Sequence, residues 1–148
     1  MRLWKTVLPA ITLILSFNVK SATLIDTGPG PDPWPGNAWG FSGNSKFAGQ
    51  FTLAESTSIN SITGWFGVDG FGTGLDLNIV IYDDTSGLPG QQLYASSVYV
   101  PPPTGLTLQN PYNYEWYGAF DLDWVLLAGD YWVSFEGANE LQSTAIMP

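Results

Sequence analysis

The stretch LDLNIVIYDDTSGLPGQQLYASSVYV, residues 75–100, decides the fold class of this 148-residue chain. Large apolar side chains occupy every second position of its first part: Leu75, Leu77, Ile79 and Ile81. This two-residue period is typical of a strand with one buried face. The segment 87–90, Gly-Leu-Pro-Gly, has turn chemistry, because proline fixes φ and glycine permits positive φ. The stretch therefore predicts a β-hairpin whose corner carries Asp83 and Asp84.

The same period recurs along the chain from residue 47 to residue 135. In one strand, this period places Phe47, Gly49, Phe51 and Leu53 on the same face. In a second strand, it places Tyr131, Val133 and Phe135 on the same face. In the segment 115–126 it predicts core positions at Trp116, Phe120, Leu122, Trp124 and Leu126, and outward positions at Glu115, Tyr117, Asp121 and Asp123. About seven short strands separated by glycine and proline turns predict an all-β fold, an antiparallel β-sandwich that is jelly-roll-like.

Residues 1–22 are typical of a secretory signal peptide. Arg2 and Lys5 precede the apolar run TVLPAITLILSF, and small residues follow near Ser21 and Ala22. An uncleaved anchor is the alternative, but this run is shorter than the about 20 residues that a membrane span needs. We therefore expect residues 23–148 to form a single secreted β-sandwich domain.

Cleavage at that point would leave a strongly acidic protein. The chain has 4 basic and 13 acidic residues, for a net charge of −9, and three of the basic residues precede position 22. The mature charge is then 1 − 13 = −12, with Lys46 as the remaining basic residue. Nucleic acids and anionic membrane surfaces are bound through Lys and Arg, so neither is an expected partner. Cations and neutral polysaccharides remain compatible with this charge.

The chain contains no cysteine and no histidine. Thiolate chemistry, disulfides, Ser-His-Asp triads and the usual zinc sites are therefore excluded. Catalysis would have to rest on carboxylates, tyrosines or Lys46. A carboxylate pair from Glu115, Asp121, Asp123 and Glu136 could hydrolyse a glycosidic bond if its members lay about 5 to 9.5 Å apart. These acids alternate with core residues as an ordinary solvated face does, so a glycosidase is the weaker alternative.

Three segments, FAGQFTLAESTSINSITGWFG (47–67), LNIVIYDDTSGLPGQQLYAS (77–96) and DLDWVLLAGDYWVSFEG (121–137), resemble a type of bacterial secreted domain. It is found among PEP-CTERM, or exosortase-sorted, proteins. The resemblance implies a non-catalytic β-sandwich at the cell surface or in the exopolysaccharide matrix, with a structural or adhesive role. The sequence departs from the sorted pattern because it ends at STAIMP, without a Pro-Glu-Pro motif, an apolar helix or terminal arginines. Either the chain is a fragment or it is a freely secreted relative.

Four acidic residues are candidate ligands for a structural calcium ion: Asp69, Asp76, Asp83 and Asp84. Calcium takes six to eight oxygen ligands, which acidic loops and backbone carbonyls can supply. Neither DDTSG nor DGFGTGLD (69–76) has the spacing of an EF-hand. The preferred interpretation is therefore a hairpin corner in which the acids cap turn amides, with no cofactor.

Four aromatic residues are candidates for a glycan-binding surface: Trp65, Tyr82, Tyr117 and Trp132. Alternation predicts that they point away from the core, where flat rings can stack on the apolar faces of sugars. The alternative is that both sheet faces are covered, since burial is the default for large aromatic side chains. A lectin-like module that binds extracellular polysaccharide is thus the main competitor to a purely structural role.

Overall fold

The computed structural model describes residues 39–40, 46–69, 74–101, 112–138 and 145–147. The strands of these segments are β1 (Trp39–Gly40), β2 (Lys46–Leu53), β3 (Thr57–Ile59), β4 (Ile62–Asp69), β5 (Leu75–Asp84), β6 (Pro89–Val100), β7 (Tyr112–Ala119), β8 (Trp124–Leu126), β9 (Gly129–Gly137) and β10 (Ala145–Met147). The described segments contain no helix, and hence none that could cross a membrane. The all-β prediction is confirmed. The expected signal peptide lies outside the described residues.

The strands form two four-stranded sheets and one short ribbon. Sheet A has the order β1-β10-β4-β7, sheet B has the order β2-β9-β5-β6, and β3 pairs with β8 in the ribbon. Every pairing is antiparallel. The predicted hairpin is present as β5 and β6, which pair in regular register from Leu75 opposite Val100 to Ile81 opposite Tyr94. The jelly-roll connectivity stays a prediction.

The core lies between sheets A and B, as the alternation predicted. On β5, Leu77, Ile79 and Ile81 are completely buried. Phe66 of β4 in sheet A meets Phe135 of β9 in sheet B edge to face, with ring centroids 5.3 Å apart. The two sheets therefore pack face to face in a sandwich-like arrangement whose core consists of Phe51, Leu53, Ile59, Phe66, Leu77, Ile79, Ile81, Val100, Ala119, Leu122, Leu126 and Phe135.

Gly64 of β4 is required by this packing. A Cβ atom built on Gly64 would lie 2.5 Å from a ring atom of Phe66 and 3.2 Å from one of Phe135. Both rings belong to buried side chains that have little room to move. The glycine therefore lets the two rings meet in the centre of the sandwich.

The predicted facing of strand β7 was wrong. Residues directly opposite one another in an antiparallel pair share a face, and Tyr117 lies opposite Gly64 on the core side of β4. Tyr117 accordingly packs against the core, while Trp116 faces outward and is 44% exposed. Phe120, expected in the core, is 63% exposed.

The reason for the error is a break in the strand. β7 ends at Ala119, and Asp121 has a positive φ of 55°, which is a left-handed conformation rather than an extended one. The chain changes direction there. Beyond the break, the side chains that face the core occupy positions of the opposite parity to those of β7. Beyond the break Leu122 and Leu126 are buried as predicted.

Replacing a buried leucine of β5 should destabilise the fold far more than replacing an exposed one. We expect Leu77→Ala to lower the free energy of unfolding by about 2 to 5 kcal/mol, because it removes buried methyl groups and leaves a cavity. Leu88→Ala, at a turn position that is 67% exposed, should change it by less than about 0.5 kcal/mol. Urea unfolding of the two variants measures both effects, and equal losses would contradict the assigned core.

Candidate functional site

The corner with Asp83 and Asp84 is held by hydrogen bonds within the hairpin. The backbone amide of Gln91 donates to Oδ1 of Asp83, and the amide of Gly87 donates to Oδ2 of Asp84 over 3.0 Å. Ser86 and Gly87 have positive φ values of 58° and 81°, as a tight turn requires. Both carboxylates therefore cap turn amides, which is the role expected of them in a hairpin corner.

The four calcium candidates are not gathered into one site. Asp83 and Asp84 are successive strand residues, so their side chains point to opposite faces of sheet B. Asp76 lies on the outer face of β5, and the backbone of Asp69 lies in sheet A. Among the residues that the structure describes, no three acidic side chains are grouped closely enough to hold a metal ion.

A network of polar and aromatic side chains covers the outer face of sheet B. We call it the outer network, and its members are Lys46, Gln50, Tyr82, Asp84, Trp132 and Glu136. The strand register brings them together, since Gln50 on β2 and Tyr82 on β5 lie on either side of Trp132 on β9. Tyr82 and Trp132, two of the four aromatic candidates, are thus direct cross-strand neighbours.

Two carboxylates organise the outer network. Oδ1 of Asp84 accepts hydrogen bonds from Trp132 Nε1 over 2.8 Å and from Gln50 Nε2 over 2.9 Å. Glu136 forms a salt bridge of 2.8 Å with Lys46 and accepts a hydrogen bond of 2.7 Å from the Tyr82 hydroxyl. The polar atoms of both aromatic candidates are therefore bound to the protein itself.

These contacts shift the pKa values of the groups involved. Burial alone would raise the pKa of Glu136, but the hydrogen bonds and charge that it receives from Lys46 and Tyr82 lower it. The pKa of Asp84 is lowered first by the Gly87 amide and then by its two side-chain donors. Burial, followed by the hydrogen bond to the Glu136 carboxylate, raises the pKa of the Tyr82 hydroxyl. At neutral pH both carboxyls are ionised and the Tyr82 hydroxyl is protonated, which are the states that these hydrogen bonds require.

Ser134 lies on the same face of β9 and is 1% exposed. With the residues that the structure describes, its hydroxyl makes no hydrogen bond of good geometry, although it is close enough to Glu136 to lower the pKa of that carboxyl further. The alternation predicted the outward direction of Ser134 and Glu136 but not their burial.

The outer face of sheet A carries an aromatic pair of a different kind. Trp65 on β4 lies directly opposite Trp116 on β7, and their ring centroids are 5.4 Å apart at an interplanar angle of 60°. Trp116 is 44% exposed and Trp65 is half-buried. Thr63 and Gly118 form the next pair along the two strands on this face.

The four aromatic candidates therefore lie on three different surfaces. Trp65 is on the outer face of sheet A, Tyr82 and Trp132 are in the outer network of sheet B, and Tyr117 packs against the core. The residue that the sequence missed is Trp116, the partner of Trp65. The signal that could have revealed it is the segment Gly118 to Asp121, whose glycine and aspartate permit a break in alternation.

An apolar groove of about 320 Å³ lies between the middle of β6, strand β8 and the start of β9. It is lined by Leu93, Tyr94, Val125, Leu126, Leu127 and Tyr131. The Tyr94 hydroxyl donates to the Val125 carbonyl and the Tyr131 hydroxyl to the Leu127 carbonyl, over 3.0 and 3.1 Å. Among the residues that the structure describes, no charged side chain lines this groove.

No protein family model, curated protein or solved structure matches this chain. The outer network and the Trp65–Trp116 pair are therefore interpreted from their own geometry.

Acid should weaken the outer network. A carboxyl whose pKa is lowered by folding stabilises the fold above its unfolded pKa, about 4.3 for glutamate, and loses that contribution as the pH falls through the folded value. We expect Glu136→Gln to lower the free energy of unfolding by about 1 kcal/mol at pH 7, a modest value because Lys46 is 60% exposed. The difference from the natural chain should shrink below about pH 4.

Urea unfolding as a function of pH measures this effect, with Glu55→Gln as the charge-matched control at an exposed position outside the network. A Glu136→Gln deficit that stays constant from neutral to acid pH would contradict the assigned role of the carboxylate.

The arrangement at the hairpin corner also predicts the response to calcium. Because both corner carboxylates are bound to turn amides, we expect the same Tm in calcium and in EDTA. A rise in Tm with calcium that Asp83→Asn and Asp84→Asn abolish would instead establish the corner as a calcium site. Differential scanning calorimetry of the natural chain and the two variants decides between these outcomes.

Proposed function

We propose that this chain is a secreted, non-catalytic β-sandwich module with a structural or adhesive role outside a bacterial cell. We propose further that it contacts extracellular polysaccharide through the Trp65–Trp116 pair. Secretion is supported by the signal-like residues 1–22, and a role at the cell surface or in the exopolysaccharide matrix by the resemblance to PEP-CTERM proteins. The jelly-roll connectivity belongs to the same proposal.

The observation that carries the polysaccharide proposal is the exposed aromatic pair on sheet A. Two indole rings that meet at 60° form an angled apolar surface, and Trp116 leaves 44% of its own surface to solvent. Sugars present apolar C–H faces that stack on such rings, and aromatic side chains dominate recognition surfaces because they bury large areas at low entropic cost. The acidic chain favours a neutral polymer over an anionic one, since like charges repel.

The outer network on sheet B is less suited to the same task. The indole nitrogen of Trp132 and the hydroxyl of Tyr82 are already bonded to Asp84 and Glu136. A sugar would have to compete with these charge-assisted hydrogen bonds, which are stronger than neutral ones. We therefore assign the outer network to stability and the Trp65–Trp116 pair to recognition.

Several features support a role without catalysis. A general acid in a glycosidase needs a raised pKa, whereas Glu136 and Asp84 both have lowered values. Glu136 lies in sheet B and Glu115 in sheet A, so the strands separate them into different layers. Among the described residues, no charged side chain lines the apolar groove beside β6.

Removing the exposed ring should weaken polysaccharide binding strongly. We expect Trp116→Ala to weaken retention on a binding polysaccharide by at least tenfold, since truncating a central aromatic anchor costs more than about 1.4 kcal/mol. Trp132→Ala is the matched control, because it removes an indole from the other sheet. Pull-down on a panel of insoluble neutral polysaccharides measures retention, and near-ultraviolet circular dichroism confirms that both variants are folded.

Two results would contradict the proposal. One is the absence of retention of the natural chain on every member of a broad panel. The other is retention that Trp132→Ala abolishes and Trp116→Ala does not, which would move the site to sheet B.

A further inference from the structure

Strand β6 lies at the edge of sheet B, where its one hydrogen-bonded neighbour among the described strands is β5. Natural proteins protect such edges with charges, prolines or bulges, because unpaired backbone groups recruit other strands. The first part of β6 is protected in this way. It begins at Pro89, and the pairing with β5 shifts register on both sides of Tyr82, so that Leu93 has no partner.

The second part of β6 has none of these protections. From Tyr94 to Val100 the pairing with β5 is regular, and the sequence YASSVYV contains no charge, no proline and no glycine. Short segments of high β-propensity and low charge are the ones that pair most readily with further strands. Ala95 and Ser97 are exposed on the outer face of the sheet. This part of β6 is a regular, uncharged edge.

The contrast with the other edge of sheet B is informative. The opposite edge strand β2 begins with Lys46, whose ammonium lies 2.8 Å from Glu136. None of the 13 acidic residues lies on β6, although the chain as a whole carries a net charge of −9. The net negative charge makes two copies of the chain repel one another, but pairing through β6 would bring no charged residues of β6 together.

We propose that β6 is a dimerisation edge, through which two copies of the chain pair antiparallel along Tyr94–Val100 and join their B sheets into one. A second copy is the fitting partner because an antiparallel strand edge is self-complementary about a two-fold axis. The uncharged segment of one copy then pairs with the same segment of the other copy. Strand β7 of sheet A approaches β6 across the sandwich but is not its hydrogen-bonded neighbour.

This proposal does not depend on polysaccharide binding. If both hold, each dimer carries two Trp65–Trp116 pairs, and attachment to a repetitive polymer becomes multivalent. If either the dimerisation proposal or the polysaccharide proposal fails, the other still stands, since dimerisation is measured without polysaccharide.

The sheet provides a matched pair of test positions. Ala48, Ser134, Val80 and Ala95 form one row across the four strands, with an exposed alanine at each end. Ala95→Lys adds a charge to the proposed edge, and Ala48→Lys adds the same charge to the opposite edge. Sedimentation velocity from micromolar to millimolar concentration measures the association of each chain.

We expect the natural chain to form a dimer as concentration rises, Ala48→Lys to behave identically, and Ala95→Lys to raise the dimer dissociation constant at least tenfold. A natural chain that stays monomeric throughout the range would overturn the proposal. So would a dimer that Ala48→Lys disrupts and Ala95→Lys does not.

Amide hydrogen exchange of the natural chain provides a test without any substitution. The amides of Tyr94–Val100 should exchange more slowly at concentrations where the dimer forms than where it does not. Equal exchange at both concentrations, together with slowed exchange elsewhere, would place the interface on another surface and overturn the proposal.

Discussion

The burial of one face of β5 is the constraint on which the rest of the structure depends. Leu77, Ile79 and Ile81 have no exposed surface, and β5 pairs with β9 on one side and β6 on the other. Because side chains alternate between the faces of a strand, this burial also determines what points outward. A slip of one residue in the pairing would place these three side chains in water and bring Tyr82 into the core.

The two outer faces of the sandwich use aromatic residues in different ways. On sheet B, Trp132 and Tyr82 donate hydrogen bonds to Asp84 and Glu136, and these bonds tie β9 to β5. On sheet A, Trp65 and Trp116 contact one another and leave ring surface exposed. On sheet B, the polar atoms that could bind a ligand are already hydrogen-bonded within the protein. On sheet A, the two rings present an exposed apolar surface. This difference is the physical basis for the proposal that polysaccharide is bound on sheet A.

The sequence predicted the parts of the fold that local periodicity encodes. The β5–β6 hairpin, the buried face of β2 and the facing of β9 follow from two-residue alternation and turn residues, and the structure confirms them. The two-residue alternation did not predict which face of β7 is buried. Asp121 adopts a positive φ, which breaks the alternation at a point that the pattern of residues does not show. Trp116 was consequently assigned to the core and missed as a candidate site residue.

The outer network was beyond sequence reasoning for a different reason. Gln50 and Asp84 are 34 residues apart and Trp132 and Asp84 are 48 apart, so no local pattern relates them. Their meeting depends on the order β2-β9-β5 in sheet B, which is a property of the whole chain. The chemistry of each candidate could be stated from its residue type, but its neighbours could not.

One face of β5 is buried because sheets A and B face one another, and Phe66 and Phe135 belong to the same core. The most direct measurement of this claim is a set of nuclear Overhauser effects between aromatic side chains of the folded domain. We expect cross-peaks between the rings of Phe66 and Phe135, whose centroids are 5.3 Å apart, and cross-peaks between Trp65 and Trp116. Cross-peaks from Trp116 to Phe135, with none between Phe66 and Phe135, would show that the sheets face one another through other residues and would contradict it.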